Sequence, residues 1–415
     1  MNILVVCPHF TPDTAPTGEV MSAITNALAD RGHRISVVTA LPWYRLHAIE
    51  PDWRGKRWST QRTSWGSVTR LHPFPTDKSN IPARALAFVG FTGLAALAAV
   101  TARIRPDVVF VMSPPLPLGV SGWLAAVLRR RPLVFNIQDV FPDAAVEVGA
   151  ITNRRVITAA SGLERWLYRR SDAVTVLSED LRSNVAGKLQ GHRPERVRVI
   201  PNFVDTRRIA PLDRLTMYRQ EHDLGDRLVV MYAGNVGMSQ SLDLLVEAAV
   251  RLRDRDDVVF VVNGGGSALI SLEEQAAALP NVRFVGLQPR ERLGEVLASA
   301  DIHVVLLRRG LARASVPSKL YSILASARPV VASVDVGSEV ARTIDSASAG
   351  IAVPPDDPDA FTAALVELLD DPKRRREAGA SGRSFVEEWI SPAGVAEAYE
   401  SLFSEVSTAH RRRRR

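Results

Sequence analysis

The sequence predicts an α/β protein made of two Rossmann-like, doubly wound domains facing a central cleft. Three observations carry that prediction. The chain has 415 residues, more than one ordinary core accommodates. Short apolar runs alternate with longer Ala-, Leu-, Arg- and Glu-rich segments in both halves, the rhythm of a parallel sheet covered by helices on both faces. A polar interval after Pro201 interrupts this rhythm, which restarts at Leu228.

The first half carries strand-like runs at residues 3–6, 35–39, 108–111, 133–136, 173–176 and 197–200. Helical patterns lie between most of them. One covers 19–30 and stops at Gly32, a C-cap residue; another covers 154–168. Pro201-Asn202-Phe203-Val204-Asp205 and the polar stretch to about Arg227 read as a linker. Strand runs return at 228–232, 258–262, 282–285, 302–306 and 329–333, with helices among them at 242–252 and 291–298. The predicted domains are 1–205 and 206–388. A helix over 389–407 then packs on a domain surface through Trp389, Tyr399 and Phe403, and 408–415 form a disordered basic tail.

Composition narrows the class. Apolar residues make up 46% and charged residues 23%, so both domains can bury a core. The only cysteine, Cys7, ends the apolar run Ile3-Leu4-Val5-Val6-Cys7 and has no partner for a disulfide. No basic-then-apolar leader is visible, so the cytoplasm is the expected compartment. The net charge is +7, but five of those charges are the arginines at 411–415. No basic stripe is interleaved with aromatics, so nucleic acid is not an expected partner; the tail suits anionic lipid better. Residues 85–102, ALAFVGFTGLAALAAVTA, carry no charge and reach the length that raises a membrane span. About half of them are Ala or Gly, and strand-like segments on both sides belong to one sheet. A buried or interfacial helix is therefore expected, able to dock on the inner face of the plasma membrane.

Ligands of open parallel sheets sit beyond the carboxyl ends of the strands, so the loops there hold the candidate residues. In Ala233-Gly234-Asn235-Val236-Gly237-Met238-Ser239-Gln240 two glycines permit a tight turn and close backbone approach, and N–H groups at a helix start attract phosphate. Asn263-Gly264-Gly265-Gly266-Ser267 repeats the pattern after the next strand. Gly234, Asn235, Gly237, Gln240, Gly264 and Gly265 are thus the candidate cradle of a phosphate-bearing ligand. The loop over 306–319 carries Arg308, Arg309, Arg313 and Lys319 and no acid. That composition fits a diphosphate, although a solvated basic loop would share it. Lys319 falls in the first turn of a helix, where a cation is unfavourable unless an anion sits beside it. With Arg313 and Ser318 it is assigned to the diphosphate, whose charge grows as the bond to the sugar breaks. Glu339, in Gly337-Ser338-Glu339, either binds sugar hydroxyls or serves as the acid of a helix N-terminus.

In the first domain, Gly18 of Pro16-Thr17-Gly18-Glu19 lines the acceptor path, with Glu19 beside it. Gln138 and Asp139 leave a strand and are candidates for the reacting centre, with a turn cap the alternative for Asp139. There is no Cys/His metal cluster, GxSxG elbow or Walker A motif, His9 and His33 are isolated, and the first turn does not read GxGxxG. Neither a metal nor a cofactor beyond the nucleotide-sugar donor is expected.

Val316-Pro317-Ser318-Lys319-Leu320-Tyr321, Leu324-Ala325-Ser326-Ala327-Arg328-Pro329-Val330-Val331-Ala332 and Gly337-Ser338-Glu339, continued by Gly350-Ile351-Ala352-Val353-Pro354-Pro355-Asp356-Asp357-Pro358, resemble the nucleotide-sugar segment of the retaining GT-B glycosyltransferases of family 4. Gly18 in the first loop and Arg31-Gly32-His33 before the second strand fit as well. Gln138-Asp139 and Gly234-Asn235-Val236-Gly237 are most similar to bacterial surface-polysaccharide transferases acting on N-acetylated amino sugars, including fucosamine. The resemblance implies a GT-B fold, a donor held mainly by the second domain and an acceptor by the first. It also implies retention of configuration without a metal, the leaving diphosphate helping to deprotonate the acceptor. The chain departs from the pattern in places. Asn235 and Gln240 stand where many members have Arg and Lys, and Gln138 where the catalytic-loop histidine stands. Ala314 and Ser322 match two glutamates separated by seven residues. The expected function is transfer of a sugar from a nucleoside diphosphate to a glycan or lipid-linked acceptor. The rivals are a sugar-nucleotide-binding protein without turnover, and a nucleotide-sugar epimerase, which would convert donor without an acceptor.

Overall fold

Continuous apolar runs bury both faces of a strand, and here they build the parallel strands of two sheets. The computed structural model describes residues 1–76, 81–147, 149, 151–191, 193–311 and 319–413, with the backbone alone at 81, 82, 84, 85, 290 and 389. One unit is Met1–Asn202 with Pro392–Arg415, and the other is Phe203–Ser391.

The first unit opens with β1 (Asn2–Val6), α1 (Pro16–Asp30), β2 (Arg34–Ala40), β3 (Trp58–Thr63) and β4 (Gly66–Leu71). It continues with α2 (Ile81–Thr101), β5 (Val108–Ser113), α3 (Leu118–Arg129), β6 (Leu133–Ile137) and α4 (Asp143–Glu147). α5 (Arg154–Arg170), β7 (Ala173–Val176), α6 (Glu179–Lys188) and β8 (Val197–Val199) complete its sheet. The strand order is β3-β4-β2-β1-β5-β6-β7-β8. From β4 to β7 this is the 3-2-1-4-5-6 winding of a doubly wound domain, and it reverses between β1 and β5.

The second unit contains α7 (Met217–Glu221), β9 (Leu228–Asn235), α8 (Asp243–Arg251), β10 (Val258–Gly265), α9 (Leu269–Ala276) and β11 (Val282–Val285). Then come α10 (Leu293–Ala298), β12 (Ile302–Leu306), α11 (Lys319–Ala325), β13 (Val330–Ser333), α12 (Glu339–Ala347) and β14 (Gly350–Val353). α13 (Pro358–Asp370) and α14 (Pro372–Trp389) follow, and α15 (Pro392–Arg412) returns to the first unit. The order β11-β10-β9-β12-β13-β14, parallel throughout, has the same winding with its reversal between β9 and β12.

Four expectations are corrected. The first sheet is mixed, because β3 pairs antiparallel with β4; β3 is polar and largely exposed, so no apolar run announced it. The polar stretch after Pro201 is not a free linker. Val204 and Ile209 join the core of the second unit, and Arg219 is buried, donating to the carbonyls of Ser299 and Gly225 at 2.9 Å and pairing with Asp301 at 2.5 Å. The division therefore falls after Asn202 rather than after 205.

The helix expected over 389–407 is two helices, α14 ending at Trp389 and α15 starting at Pro392, a proline accepted at a helix start. The basic tail is not disordered from 408, since α15 runs to Arg412. Val395, Tyr399, Leu402, Phe403 and Val406 seat one face of it. Arg411 lies 3.8 Å from Asp107 and Arg413 3.6 Å from Asp172, and cations suit the carboxyl end of a helix. The stretch 85–102 lies in α2, a helix with one buried face, as the expectation of a buried or interfacial helix rather than a span has it. Ala87, Phe91, Ala95, Ala98 and Ala99 are buried, and among the described residues no helix is long and apolar enough to cross a membrane.

Candidate functional site

In the second unit β9 and β10 stay in register to their ends, Gly234 opposite Gly264 and Asn235 opposite Gly265. A Cβ on Gly264 would stand 1.9 Å from the carbonyl oxygen of Gly234, and one on Gly266 2.2 Å from that of Val236. These glycines let two backbones touch. Gly265 differs: nothing lies within 4 Å of its Cβ position, so its face is open to a ligand. Gly234, at φ +145°, has Lys319 Cδ, Lys319 Nζ and the Tyr232 hydroxyl as its nearest neighbours, each 3.8 Å from a Cβ there.

Lys319 begins α11, next to the point where the winding reverses. Its ammonium lies 3.6 Å from the centroid of the Tyr232 ring, a cation–π contact. The Tyr232 hydroxyl donates to the carbonyl of Asn235 at 2.6 Å, holding the ring in place. The residue as a whole is half-buried, yet its ammonium is desolvated, which pulls its pKa down to about 7. No carboxylate among the described residues pairs with it. A desolvated cation at the carboxyl rim of a parallel sheet is a candidate for an anion site.

Other predicted cations have different work. Arg308 donates to the carbonyl of Met238 at 2.9 Å and reaches Asp243 at 3.4 Å, while Arg309 donates to that of Pro355 at 3.0 Å. Both tie loops together, which corrects the reading of four cations awaiting a diphosphate. Gln240 also turns inward, accepting from the Gly237 N–H at 3.1 Å and donating to Ser239 at 3.0 Å. Asn235 remains exposed at the strand end, and Gly237 makes room for it, since a Cβ there would meet Asn235 Nδ2 at 2.6 Å. Glu339 opens α12 behind its cap Ser338 and pairs with Arg342 at 2.9 Å. Arg313, Ser318 and the departure at Ala314 lie outside the described residues.

In the first unit Gly18 has a packing reason. A Cβ on it would stand 2.8 Å from His9 Cβ, so the space expected for an acceptor is taken by His9. Glu19 is half-buried in the first turn of α1, its N–H bonded to the carbonyl of Ala15 at 3.0 Å. Gln138 is buried and committed on both sides, donating to Asn136 at 2.7 Å and accepting from Asn202 at 2.8 Å. Asn136 in turn donates to Thr175 at 2.9 Å and to the Tyr399 hydroxyl at 3.0 Å. This corrects Gln138 from a group facing the reacting sugar to one that positions the loop carrying half-buried Asp139. His9 is not isolated either. Its Nδ1 is 2.6 Å from Asp13, four residues on and buried. A histidine just past the first strand with an acid at i+4 was the signal available in the sequence.

The model of a glycosyl transferase 4-like domain matches residues 17–202, and that of glycosyl transferases group 1 matches residues 227–371. The chain is 28% identical over 389 residues to the putative colanic acid biosynthesis glycosyl transferase WcaI of Escherichia coli (strain K12), covering 90% of this chain and 93% of that one. It is 26% identical over 306 residues to the probable glycosyltransferase WbjE of Pseudomonas aeruginosa, covering 72% and 74%. Among solved structures, sucrose-phosphate synthase from Thermosynechococcus elongatus superposes with a TM-score of 0.75 at 17% identity, over 99% of this chain and all of that one.

Proposed function

The chain is a glycosyltransferase of the family 4 type with the GT-B fold, and from that premise we propose that it moves a sugar from a nucleoside-diphosphate donor to a glycan or lipid-linked acceptor in polysaccharide biosynthesis. The observation that carries the donor half is Lys319, a desolvated ammonium without a carboxylate partner among the described residues. The donor lies over Gly234, Asn235, Gly237 and Gly265, with Gly264 keeping the strands close enough to form that floor. Lys319, with Arg313 and Ser318, holds the diphosphate and offsets its charge as the glycosidic bond breaks. Preorganised charge of this kind lowers a barrier most where charge develops. Glu339 takes a sugar or ribose hydroxyl, and Gln240 shapes the turn beneath.

Transfer proceeds with retention and without a metal, the leaving phosphate accepting the proton of the acceptor hydroxyl. Asp139 stands at the reacting centre on the loop that Gln138 braces, and Glu19 lies toward the acceptor. The donor sugar we place first is an N-acetylated amino sugar of fucosamine type, on the resemblance of Gln138-Asp139 and Gly234-Asn235-Val236-Gly237.

The acceptor's lipid linkage rests on α2. Leu86, Val89 and Leu97 are 73%, 62% and 55% exposed, residues 85–102 carry no acid, and exposed Arg103 and Arg105 follow. Such a face fits peripheral contact with an anionic membrane.

The test is a thermal-shift screen with UDP, GDP, ADP and dTDP and their sugars, followed by turnover with and without EDTA. One nucleotide should raise the unfolding temperature, a ligand at ~100 times its Kd adding about 2.7 kcal/mol. Lys319→Ala should abolish that shift, and EDTA should leave turnover unchanged. A shift that survives Lys319→Ala would overturn the diphosphate assignment.

A further inference from the structure

We propose that His9, oriented by Asp13 and walled by Trp43 and Tyr44, recognises a pyranose of the acceptor at the carboxyl rim of the first unit; this rests on the transferase reading above. His9 lies three residues past the end of β1, at the reversal between β1 and β5 where a doubly wound sheet takes its ligand. Its ring stacks on Trp43 at 5.7 Å between centroids and meets Tyr44 edge-on at 5.5 Å. Both oxygens of the Asp13 carboxylate are bonded from within the unit. One oxygen takes the His9 Nδ1 proton and the other accepts the N–H of Tyr44 at 3.1 Å. The buried carboxylate holds the imidazole with Nδ1 toward Asp13, which leaves Nε2 for a ligand. No described residue hydrogen-bonds that nitrogen.

The loop is held rigidly. The Thr11 N–H donates to Ser22 at 2.9 Å, Ser22 donates to the carbonyl of Gly18 at 2.7 Å, and buried Arg70 donates to the carbonyl of Thr11 at 2.5 Å. The lack of a side chain at Gly18 is what lets His9 lie there.

The chemistry selects the ligand class. An imidazole whose Nδ1 is held by a carboxylate presents Nε2 to a hydroxyl, a group that can both donate and accept. The His9 side chain keeps 13% of its surface and Tyr44 42%. An aromatic wall beside a directional hydroxyl acceptor matches a sugar ring, with its apolar C–H face and polar rim.

The experiment is saturation-transfer NMR on the full chain with a panel of methyl pyranosides: glucoside, galactoside, mannoside, fucoside and N-acetylglucosaminide. At least one should be saturated by the wild type. The signal should fall about tenfold in His9→Ala and in Trp43→Ala, the scale of one lost hydrogen bond or ring contact. His9→Gln and Trp43→Phe, which retain an acceptor and a ring, should recover most of it. The nucleotide thermal shift should persist in all four variants and vanish only in Lys319→Ala, so failure of the donor reading is seen separately. Absence of saturation of every pyranoside by folded wild type, or an unchanged signal in both alanine variants, would overturn the assignment.

Discussion

Lys319 links stability to the diphosphate binding proposed for it. With its pKa near 7 instead of 10.5, the folded chain holds fewer protons than the unfolded chain between those values, so stability rises with pH across that window. Lys319→Met should raise the unfolding temperature of the ligand-free protein at pH 7 and flatten its pH dependence above 7. For a bound diphosphate the sign reverses, because only the ammonium form attracts it. Nucleotide affinity should fall as pH climbs through 7, and binding at pH 8 should take up protons. Calorimetry in buffers of different ionisation enthalpy measures that uptake, and Lys319→Arg should remove it.

The adjacent glycines separate packing from binding. Gly264→Ala forces a methyl into the carbonyl of Gly234 at 1.9 Å and should destabilise by about 2 kcal/mol or more. Gly265→Ala meets open space and should fold normally while weakening nucleotide binding. Denaturant melts and thermal shifts on the two variants distinguish these outcomes.

At the scale of elements, α15 is a structural member of a unit from which its sequence neighbours have departed. Tyr399 and Phe403 pack on Phe110 at 5.1 and 5.2 Å, and the Tyr399 hydroxyl completes the network through Asn136 and Gln138. Tyr399→Phe leaves a buried amide donor short of its acceptor and should destabilise by roughly 1–3 kcal/mol. Truncation after 391 should leave the first unit aggregated, whereas truncation after 409 removes exposed contacts, those of Arg411 and Arg413 with Asp107 and Asp172 and that of His410 with the Arg130 carbonyl, and should change stability by less than about 1 kcal/mol. Chemical denaturation of the purified variants checks all three. The parallel strands other than β4 and β14, which are only partly buried, and α2 were legible because burial on both faces demands unbroken apolar runs. β3 was not, since an edge strand facing water may be polar, and neither was α7, since its largest buried side chain is an arginine.

For the whole molecule, the membrane reading makes the coarsest prediction. Cosedimentation with phosphatidylglycerol vesicles at low salt should capture the chain, and added salt should release it through screening. Leu86→Asp with Val89→Asp should weaken capture without changing the nucleotide shift. Vesicle binding unaffected by that pair would dissociate α2 from lipid contact.

The sequence alone determined two doubly wound sheets, because strand runs and their helical crossovers are written in local hydrophobic pattern, and it located the rims because strand ends follow from strands. It also singled out Lys319, whose position in a basic loop at a helix start is local. Only the tertiary structure decided which polar side chains remain available. Arg308, Arg309, Gln240 and Gln138 are satisfied by partners that the fold supplies, the last of them by Asn202, 64 residues on in the chain. His9 gained its role the same way, through Asp13, Trp43 and the missing side chain of Gly18, since hydrogen bonds and ring contacts depend on distances that a pattern of residues does not record.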